Sequence, residues 1–271
     1  MTLTYDDVLT ARAAIADATL LTPTVPATRL SLQLGIDLHL KLENLQHTNA
    51  FKARGALAKL LSLTDEERRA GVIACSAGNH AQGVAYHATR LGITSVIVMP
   101  HGTPFNKIKR TQDFGATVEL HGKTFEEAME ATREMMARDG LVLIHPFDDP
   151  IVVAGQGTVA CEILEQEPDL DVIVVPIGGG GLIAGIATAA KAIKPDVQVI
   201  GAQAELFDAV KSAIDGTAPH FNGASLAEGI AVKAPSPANV EVIRRRVDRI
   251  ESVTEEQIEA AGFDLLSHEK I

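Results

Sequence analysis

The chain has 271 residues, of which 46% are hydrophobic, enough to bury the core of one large domain or two closely packed α/β lobes. Its net charge of −11 and its single basic run, Arg244-Arg245-Arg246, which is expected to be the exposed end of a helix, argue against a nucleic-acid partner. No uncharged stretch reaches the roughly 18 to 20 apolar residues of a membrane span, and the first residues do not resemble a signal peptide. Cys75 and Cys161 lie far apart in apolar surroundings and are predicted to be free buried thiols, which favours a cytoplasmic location.

Short strands alternate with helices along most of the chain. The first block is predicted to contain helix 5–18, strand 36–42, helix 53–61, strand 72–75, helix 79–91, strand 95–99, helix 104–114, strand 116–120, helix 124–139 and strand 141–144. The second block is predicted to contain helix 159–166, strand 172–175, helix 182–193, strand 197–202, helix 206–214, helix 237–246, strand 247–253 and helix 255–267. This alternation predicts an α/β fold with parallel sheets, and the boundary-like stretch 145–150 suggests two lobes.

Lys52 stands between a polar turn and the start of the predicted helix 53–61. A cation is disfavoured near the positive N-terminal end of a helix, and a higher cost of the ammonium form lowers the lysine pKa. The neutral amine is the nucleophile in Schiff-base chemistry. Considered alone, Lys52 would be interpreted as a solvated helix lysine, so its role depends on the rest of the chain.

Four glycines, Gly178, Gly179, Gly180 and Gly181, follow strand 172–175 directly. Without Cβ atoms their backbone N–H groups can close around an anion, and the helix that begins at Leu182 adds a favourable field. No Walker lysine follows, and the spacing of a dinucleotide-binding loop is absent. The pattern predicts a site for one phosphate, as in a monophosphate cofactor, and the alternative is a flexible glycine-rich turn.

The stretch from Ser76 to His80 has the same place in the first block, after strand 72–75 and before a helix. Ser76 is predicted to cap that helix, and the N–H groups beyond it form a second anion site, suited to a carboxylate. Asn79 offers both a donor and an acceptor. The alternative is a plain capped helix. A lysine, a phosphate loop and a carboxylate loop together describe pyridoxal phosphate holding an amino acid.

The motifs that support this description occur in order over almost the whole chain. They are Lys41-Leu42-Glu43-Asn44-Leu45-Gln46, Asn49-Ala50-Phe51-Lys52-Ala53-Arg54-Gly55-Ala56, Ser76-Ala77-Gly78-Asn79-His80-Ala81-Gln82-Gly83, Gly155-Gln156-Gly157-Thr158 and Gly178-Gly179-Gly180-Gly181. In these motifs the chain resembles the fold type II (β-family) pyridoxal-phosphate enzymes, and most closely the threonine/serine dehydratases. The resemblance implies a two-lobed, tryptophan-synthase-β-like fold with two mainly parallel sheets flanked by helices. It further implies a large lobe (1–46 and 151–271), a small lobe (47–150) and a homo-oligomer.

The resemblance also implies the roles of single residues. They are Lys52 as the catalytic Schiff-base lysine and proton carrier, Phe51 as the residue packed on the cofactor, Asn79 as the partner of its 3′-hydroxyl, Gly178 to Gly181 with Leu182 as the phosphate cup, Gly229 beside the pyridine ring, and Ser76, Gly78 and His80 around the substrate carboxylate. No metal site is predicted, because Glu205 and Asp208, where some relatives bind a cation, are better explained as a solvated helix start.

The activity implied is conversion of L-threonine, L-serine or a close β-hydroxy amino acid to a 2-oxo acid and ammonia. One alternative is β-replacement of the cysteine-synthase kind, although that branch typically shows Thr-Ser-Gly-Asn-Thr at positions 76–80. The other is a cofactor-binding form with weak catalysis.

Three departures from the family pattern affect these expectations. Ala77 stands where racemases of the family carry a serine that serves the opposite face, which favours dehydration over racemisation. Asn49 and Ala50 stand where serine is usual, so a local hydrogen bond is expected to be lost. The sequence ends at Ile271 while relatives continue, so we expect either a shortened form or one in which another group contacts the pyridine nitrogen, and in both cases no regulatory domain.

Overall fold

The computed structural model describes residues 3–271, so residues 1 and 2, with which the predicted large lobe begins, lie outside the described residues. The helices are α1 (Tyr5–Ile15), α2 (Thr28–Leu34), α3 (Lys52–Leu61), α4 (Asp65–Ala70), α5 (Asn79–Arg90), α6 (Phe105–Asp113), α7 (Phe125–Asp139), α8 (Pro150–Gln166), α9 (Gly181–Ile193), α10 (Ala209–Asp215), α11 (Pro237–Arg246) and α12 (Glu255–Asp264). The strands are β1 (Thr24–Pro26), β2 (His39–Lys41), β3 (Val72–Cys75), β4 (Ser95–Met99), β5 (Thr117–Leu120), β6 (Val142–Leu143), β7 (Val172–Pro176), β8 (Gln198–Ala204) and β9 (Arg249–Val253). Short 3₁₀ turns are Glu43–Leu45, His47–Asn49 and Glu228–Ile230, and a π-helical turn spans Leu265–Glu269.

The chain divides into two compact units. The lysine unit consists of Asp6–Leu20 and Asn44–Gln156. The glycine-loop unit consists of Leu21–Glu43 and Gly157–Ile271, together with the described residues 3–5. The lobe boundaries at residues 46 and 150 stay a prediction.

A parallel four-stranded sheet in the order β5-β4-β3-β6 forms the centre of the lysine unit. All four residues of β3 are buried, as is typical of a strand whose two faces are both covered by helices. Ala74 faces the buried side of α5 around Val84, while Ile73 shares the opposite face with Ala128 of α7. The carboxyl end of this central strand leads directly into the loop at Ser76.

The glycine-loop unit contains the parallel sheet β7-β8-β9 and the short antiparallel pair β1-β2. Strand β7 leads into the four glycines, and α9 begins at the last of them. Helix α9 is built largely from Ala, Gly and Ile and is buried along most of its length, and it packs against α11. Two parallel sheets flanked by helices confirm the predicted fold class.

Most predicted elements are found within one or two residues of their expected ends, and α8 is the main exception. The predicted helix 159–166 begins instead at Pro150, because Gly155 and Gly157, which weaken a helix pattern, are accommodated inside it. A Cβ atom on Gly155 would lie 2.7 Å from the Cα of Gly55, and one on Gly55 would lie 2.5 Å from the carbonyl oxygen of Val152. Glycine at both positions therefore allows the backbones of α3 and α8 to touch.

Four smaller differences remain. The predicted helix 5–18 ends at Ile15, and the predicted helix 206–214 begins at Ala209. The other two have simple causes. The predicted strand 36–42 is limited to His39–Lys41, because its partner β1 has only three residues. The predicted helix 255–267 loses α-helical geometry after Asp264 and continues as the π-helical turn. Cys75 and Cys161 are both buried, and the described residues contain no disulfide between them, as predicted.

Gly55→Ala should lower the free energy of unfolding by about 2 kcal/mol, because an added methyl group has no room between α3 and α8. Urea unfolding of the purified protein measures the change. Gly102→Ala is the matched control in the same unit, since a Cβ atom there meets nothing within 4 Å. Equal stability of the two variants would contradict the close helix contact.

Candidate functional site

Lys52 is the first residue of α3, one residue earlier than predicted. Its Nζ donates a hydrogen bond to the carbonyl oxygen of Pro146 at 2.7 Å and lies 5.3 Å from the centre of the Phe51 ring. Burial lowers the pKa of Lys52 to about 8. About one molecule in ten therefore carries the neutral, nucleophilic amine at pH 7. The predicted direction of the pKa shift is confirmed, and its cause is burial of the side chain.

Close backbone contacts hold the start of α3 in place. A Cβ atom on Gly83 of α5 would lie 3.3 Å from the carbonyl oxygen of Lys52 and from the backbone nitrogen of Ala53. Glycine at position 83 therefore lets α5 approach the backbone at Lys52. This contact fixes the position of the first turn of α3, which carries Lys52.

The turn before Lys52 contains two successive residues with positive φ, Thr48 at 63° and Asn49 at 57°. Asparagine tolerates this left-handed conformation better than most residues. The side chain of Asn49 also donates to the carbonyl oxygen of Asn44 at 3.0 Å and accepts from Arg110 of α6 at 2.9 Å. Position 49, which the sequence marked only as a departure from the family, thus supplies two hydrogen bonds that stabilise this turn.

The loop Ser76 to His80 connects β3 to α5, but Ser76 does not cap the helix as predicted. The N-cap residue is Gly78, which is extended and has no side chain to offer. The Ser76 hydroxyl instead accepts a hydrogen bond from the Gly78 backbone at 3.3 Å, because the helix begins too late for the side chain to reach its first N–H groups. The N-cap residue offers no side-chain acceptor to the first N–H groups of α5, and N–H groups in this position suit an anionic ligand.

His80 is 2% exposed, and its Nε2 lies 2.7 Å from the carbonyl oxygen of Ile144. Because a carbonyl can only accept, Nε2 carries the proton and Nδ1 holds a lone pair. That Nδ1 is buried and has no hydrogen-bond partner among the described residues. Burial, with a smaller contribution from the charge of Lys52, lowers the pKa of His80 to about 3. His80 is therefore a neutral ring with an acceptor to offer to a ligand.

Two of the four glycines after β7, Gly178 and Gly180, are needed for space and for conformation. A Cβ atom on Gly178 would lie 3.1 Å from the Cα of Ile230 and 3.5 Å from the carbonyl oxygen of Gly229, which places Gly229 beside the loop. Gly180, the N-cap residue of α9, has φ of 88°, a conformation that favours glycine. The loop therefore forms a cradle of backbone groups at the N-terminus of α9.

Asn239 of α11 sets the orientation of this loop. Its side chain is 4% exposed and donates to the carbonyl oxygen of Gly179 at 3.2 Å. In a trans peptide the C=O and the following N–H point in opposite directions, so the N–H of Gly180 points away from Asn239. No sequence signal points to Asn239, since the capped start of α11 at Ser236-Pro237 gives no sign that its first turn contacts the glycine loop.

Parallel α/β sheets, a buried lysine at a helix start and a glycine loop at a helix N-terminus define a fold type II pyridoxal-phosphate enzyme. Residues 15–271 match the model of the pyridoxal-phosphate dependent enzyme family, and the chain belongs to that family. Its cofactor is pyridoxal 5′-phosphate. The predicted family and cofactor are thereby confirmed.

Several proteins are similar to this one over nearly the whole length of the chain. The L-threonine ammonia-lyase of Thermotoga maritima is 44% identical over 99% of this chain and 68% of that protein. The catabolic L-threonine dehydratase of Escherichia coli K12 is 41% identical over 98% of this chain and 82% of that protein. The structure of maize serine racemase has a TM-score of 0.95 and 32% identity, and the match covers 100% of this chain and 83% of that one.

The residues present fit the cofactor in each unit considered by itself. The lysine unit offers an amine with a pKa lowered by burial, which can react with an aldehyde. The glycine-loop unit offers a loop of four glycines, packed at Gly178 against Ile230, at a helix N-terminus that favours a phosphate.

Other kinds of site find less support. No group of three or more His, Cys, Asp and Glu side chains in residues 3–271 is arranged to hold a metal ion. Asp208, at the position where some relatives were expected to bind a cation, instead accepts hydrogen bonds from the backbone N–H and the ring of His220, at 2.7 and 2.9 Å. Across the same residues, every helix is too short or too polar to cross a membrane.

Asn239→Asp should weaken the binding of pyridoxal phosphate about tenfold, because a carboxylate replaces the amide donor and repels the Gly179 carbonyl. Absorbance titration of the cofactor-free protein measures the dissociation constant. Asn222→Asp, at an exposed position of the same unit, makes the same change of charge and should have no effect. If both variants bind the cofactor as the wild type does, Asn239 does not orient the loop.

Proposed function

We propose that this chain is a pyridoxal-phosphate-dependent dehydratase that converts L-threonine, L-serine or a close β-hydroxy amino acid to a 2-oxo acid and ammonia. The observation that carries the proposal is the buried Lys52 amine with its pKa of about 8, in the same unit as a loop suited to a carboxylate. The similarity to an L-threonine ammonia-lyase and an L-threonine dehydratase supports the choice of reaction.

The cofactor, when bound, supplies an aldehyde for amino groups and a ring that withdraws electrons from the substrate. The residues proposed to hold it are Phe51, Lys52, Asn79, Gly178, Gly179, Gly180, Gly181, Leu182 and Gly229. The residues proposed to receive the substrate carboxylate are Ser76, Gly78 and His80. In the loop at Gly78, backbone N–H groups at the start of α5 act as the donors.

Lys52 carries the proton chemistry in this proposal. With a pKa of about 8, its Nζ can accept a proton from the substrate and release it again near neutral pH. His80 stays neutral at any working pH, since its pKa is lowered to about 3, so it orients groups and does not exchange protons. Loss of the β-hydroxyl with one proton, followed by hydrolysis, turns threonine into 2-oxobutanoate and ammonia with all atoms balanced.

Purified protein with pyridoxal phosphate and L-threonine should release 2-oxobutanoate without any added nucleophile, as measured by reaction of the 2-oxo acid with phenylhydrazine. Lys52→Ala should lower the rate at least about a thousandfold, because the proton carrier is lost. Lys123→Ala, an exposed lysine in the same unit, is the matched control and should retain the wild-type rate.

The alternatives give different results in the same assay. Product formed only with added sulfide would indicate β-replacement of the cysteine-synthase kind. A visible cofactor band without product from any β-hydroxy amino acid would indicate a cofactor-binding form with weak catalysis. Wild-type turnover by Lys52→Ala would overturn the assignment of Lys52.

Racemisation is a second candidate, because the structure of maize serine racemase matches this chain with a TM-score of 0.95. Ala77 argues against it, since a methyl group in the carboxylate loop cannot donate a proton. Ala77→Ser should therefore increase the formation of D-serine from L-serine by about a hundredfold. Chiral chromatography measures the product, and Ala77→Gly, which adds no hydroxyl, should show no such increase. D-serine production by the wild type at the rate of oxo-acid formation would contradict this interpretation.

We also propose that the protein works as a homo-oligomer in the cytoplasm on a small-molecule substrate. Cys75 and Cys161 are buried as thiols and not joined in a disulfide among the described residues, which supports a reducing compartment. Analytical ultracentrifugation of the cofactor-loaded protein tests the oligomeric state.

A further inference from the structure

The loop between β6 and α8 contains a turn closed by a histidine side chain. The Nδ1 atom of His145 accepts hydrogen bonds from the backbone N–H groups of Phe147 at 3.3 Å and Asp148 at 2.8 Å. The rings of His145 and Phe147 also contact edge to face, with their centres 4.9 Å apart. The sequence alone marked this stretch only as a possible boundary.

This turn fixes the direction of the carbonyl that Lys52 contacts. The C=O of Pro146 and the N–H of Phe147 belong to one peptide unit, and in a trans peptide they point in opposite directions. Since His145 holds the N–H end, the carbonyl end is aimed away from His145, where it accepts from the Lys52 Nζ at 2.7 Å. The start of the loop is held as well, because His80 donates to the carbonyl oxygen of Ile144.

The arrangement requires a neutral His145 ring. Nδ1 can accept from the backbone only while it keeps its lone pair, so the ring proton must be on Nε2. The charged and titratable groups that face the ring are Asp148 and Asp149 of the same loop, Lys52 of α3 and His80 of α5. Burial, as the largest effect, lowers the pKa of His145, which favours the required state.

We propose that His145 is a positioning residue for Lys52, which holds the Pro146 carbonyl against the lysine amine and keeps that amine covered. This role deepens the proposed function and rests on it, since a positioned amine matters only where Lys52 carries the chemistry. His145 acts through the peptide unit 146–147 and does not itself take part in proton transfer.

Two similar amide side chains at position 145 test the proposal. In His145→Asn the side-chain oxygen stands where Nδ1 stands, so the turn and the lowered pKa of Lys52 should be retained. In His145→Gln the acceptor lies one bond further out and cannot reach both N–H groups, so the turn opens and water reaches Lys52. The pKa of Lys52 should then rise by at least about one unit toward that of an exposed lysine.

Competitive acetylation of the full chain without cofactor, followed by mass spectrometry of the peptide that contains Lys52, gives this pKa from the pH dependence of labelling. At pH 8 the His145→Gln protein should be labelled about fivefold more slowly at Lys52 than the His145→Asn protein. Equal pKa values of Lys52 in the two variants would overturn the proposal.

A measurement on the wild type covers the case in which neither variant folds. Nitrogen NMR of histidine-labelled protein should show His145 neutral, with its proton on Nε2, from about pH 7.5 to about pH 8.5. A proton on Nδ1 in that range would overturn the proposal. Because neither experiment involves turnover, absence of dehydratase activity in the wild type would refute the proposed function while the role of His145 in holding Lys52 is decided separately.

Discussion

Burial of one lysine amine is the constraint on which the lysine unit depends. An ammonium group that leaves water loses its hydration, and unless a full counter-charge replaces the water, its pKa falls. At Lys52 the group that meets the amine is the neutral carbonyl of Pro146, and the pKa falls to about 8. The backbone of α3 is packed closely against α5 and α8, which Gly83 and Gly55 permit because they lack a Cβ atom. The reactivity of the Lys52 amine thus follows from its burial and not from a counter-charge.

The two units use the same device to orient backbone groups. Asn239 holds the carbonyl of Gly179, which leaves the N–H of Gly180 facing the other way. His145 holds the N–H of Phe147, which leaves the carbonyl of Pro146 facing Lys52. In both cases a side chain forms a hydrogen bond with one end of a peptide unit, and the opposite end of that unit faces away from the side chain. A rigid planar peptide makes this transfer of orientation reliable, since its two ends cannot rotate independently.

The sequence predicted what depends on local pattern. The ends of strands β3 and β4 were predicted correctly because both strands are short, largely apolar runs. The ends of helix α11 were also predicted correctly, and Ser236-Pro237 is typical of a helix start. Lys52 and the four glycines were found because their residue types suit Schiff-base chemistry and phosphate binding at helix starts.

The features that the sequence did not predict depend on contacts between distant parts of the chain. Helix α8 was shortened in the prediction because Gly155 weakens a helix pattern, although the same glycine is what lets α8 touch α3. Asn239 and His145 were missed because each acts on a backbone group of another residue, and no residue type or spacing indicates such a role. Ser76 was expected to cap α5, but the helix begins at Asn79, as predicted, and this start makes Gly78 the N-cap residue.

The distribution of pKa values in the lysine unit bears on which reaction the protein can perform. Three basic side chains, Lys52, His80 and His145, affect one another electrostatically, and burial lowers the pKa of both histidine rings. The amine of Lys52 has a pKa of about 8, so it can both take and return a proton near neutral pH. Inversion of a stereocentre needs a second donor on the opposite face, and Ala77 offers only a methyl group where racemases carry a hydroxyl. A single proton carrier can return a proton only to the face from which it came, and this asymmetry favours elimination of the β-hydroxyl over racemisation.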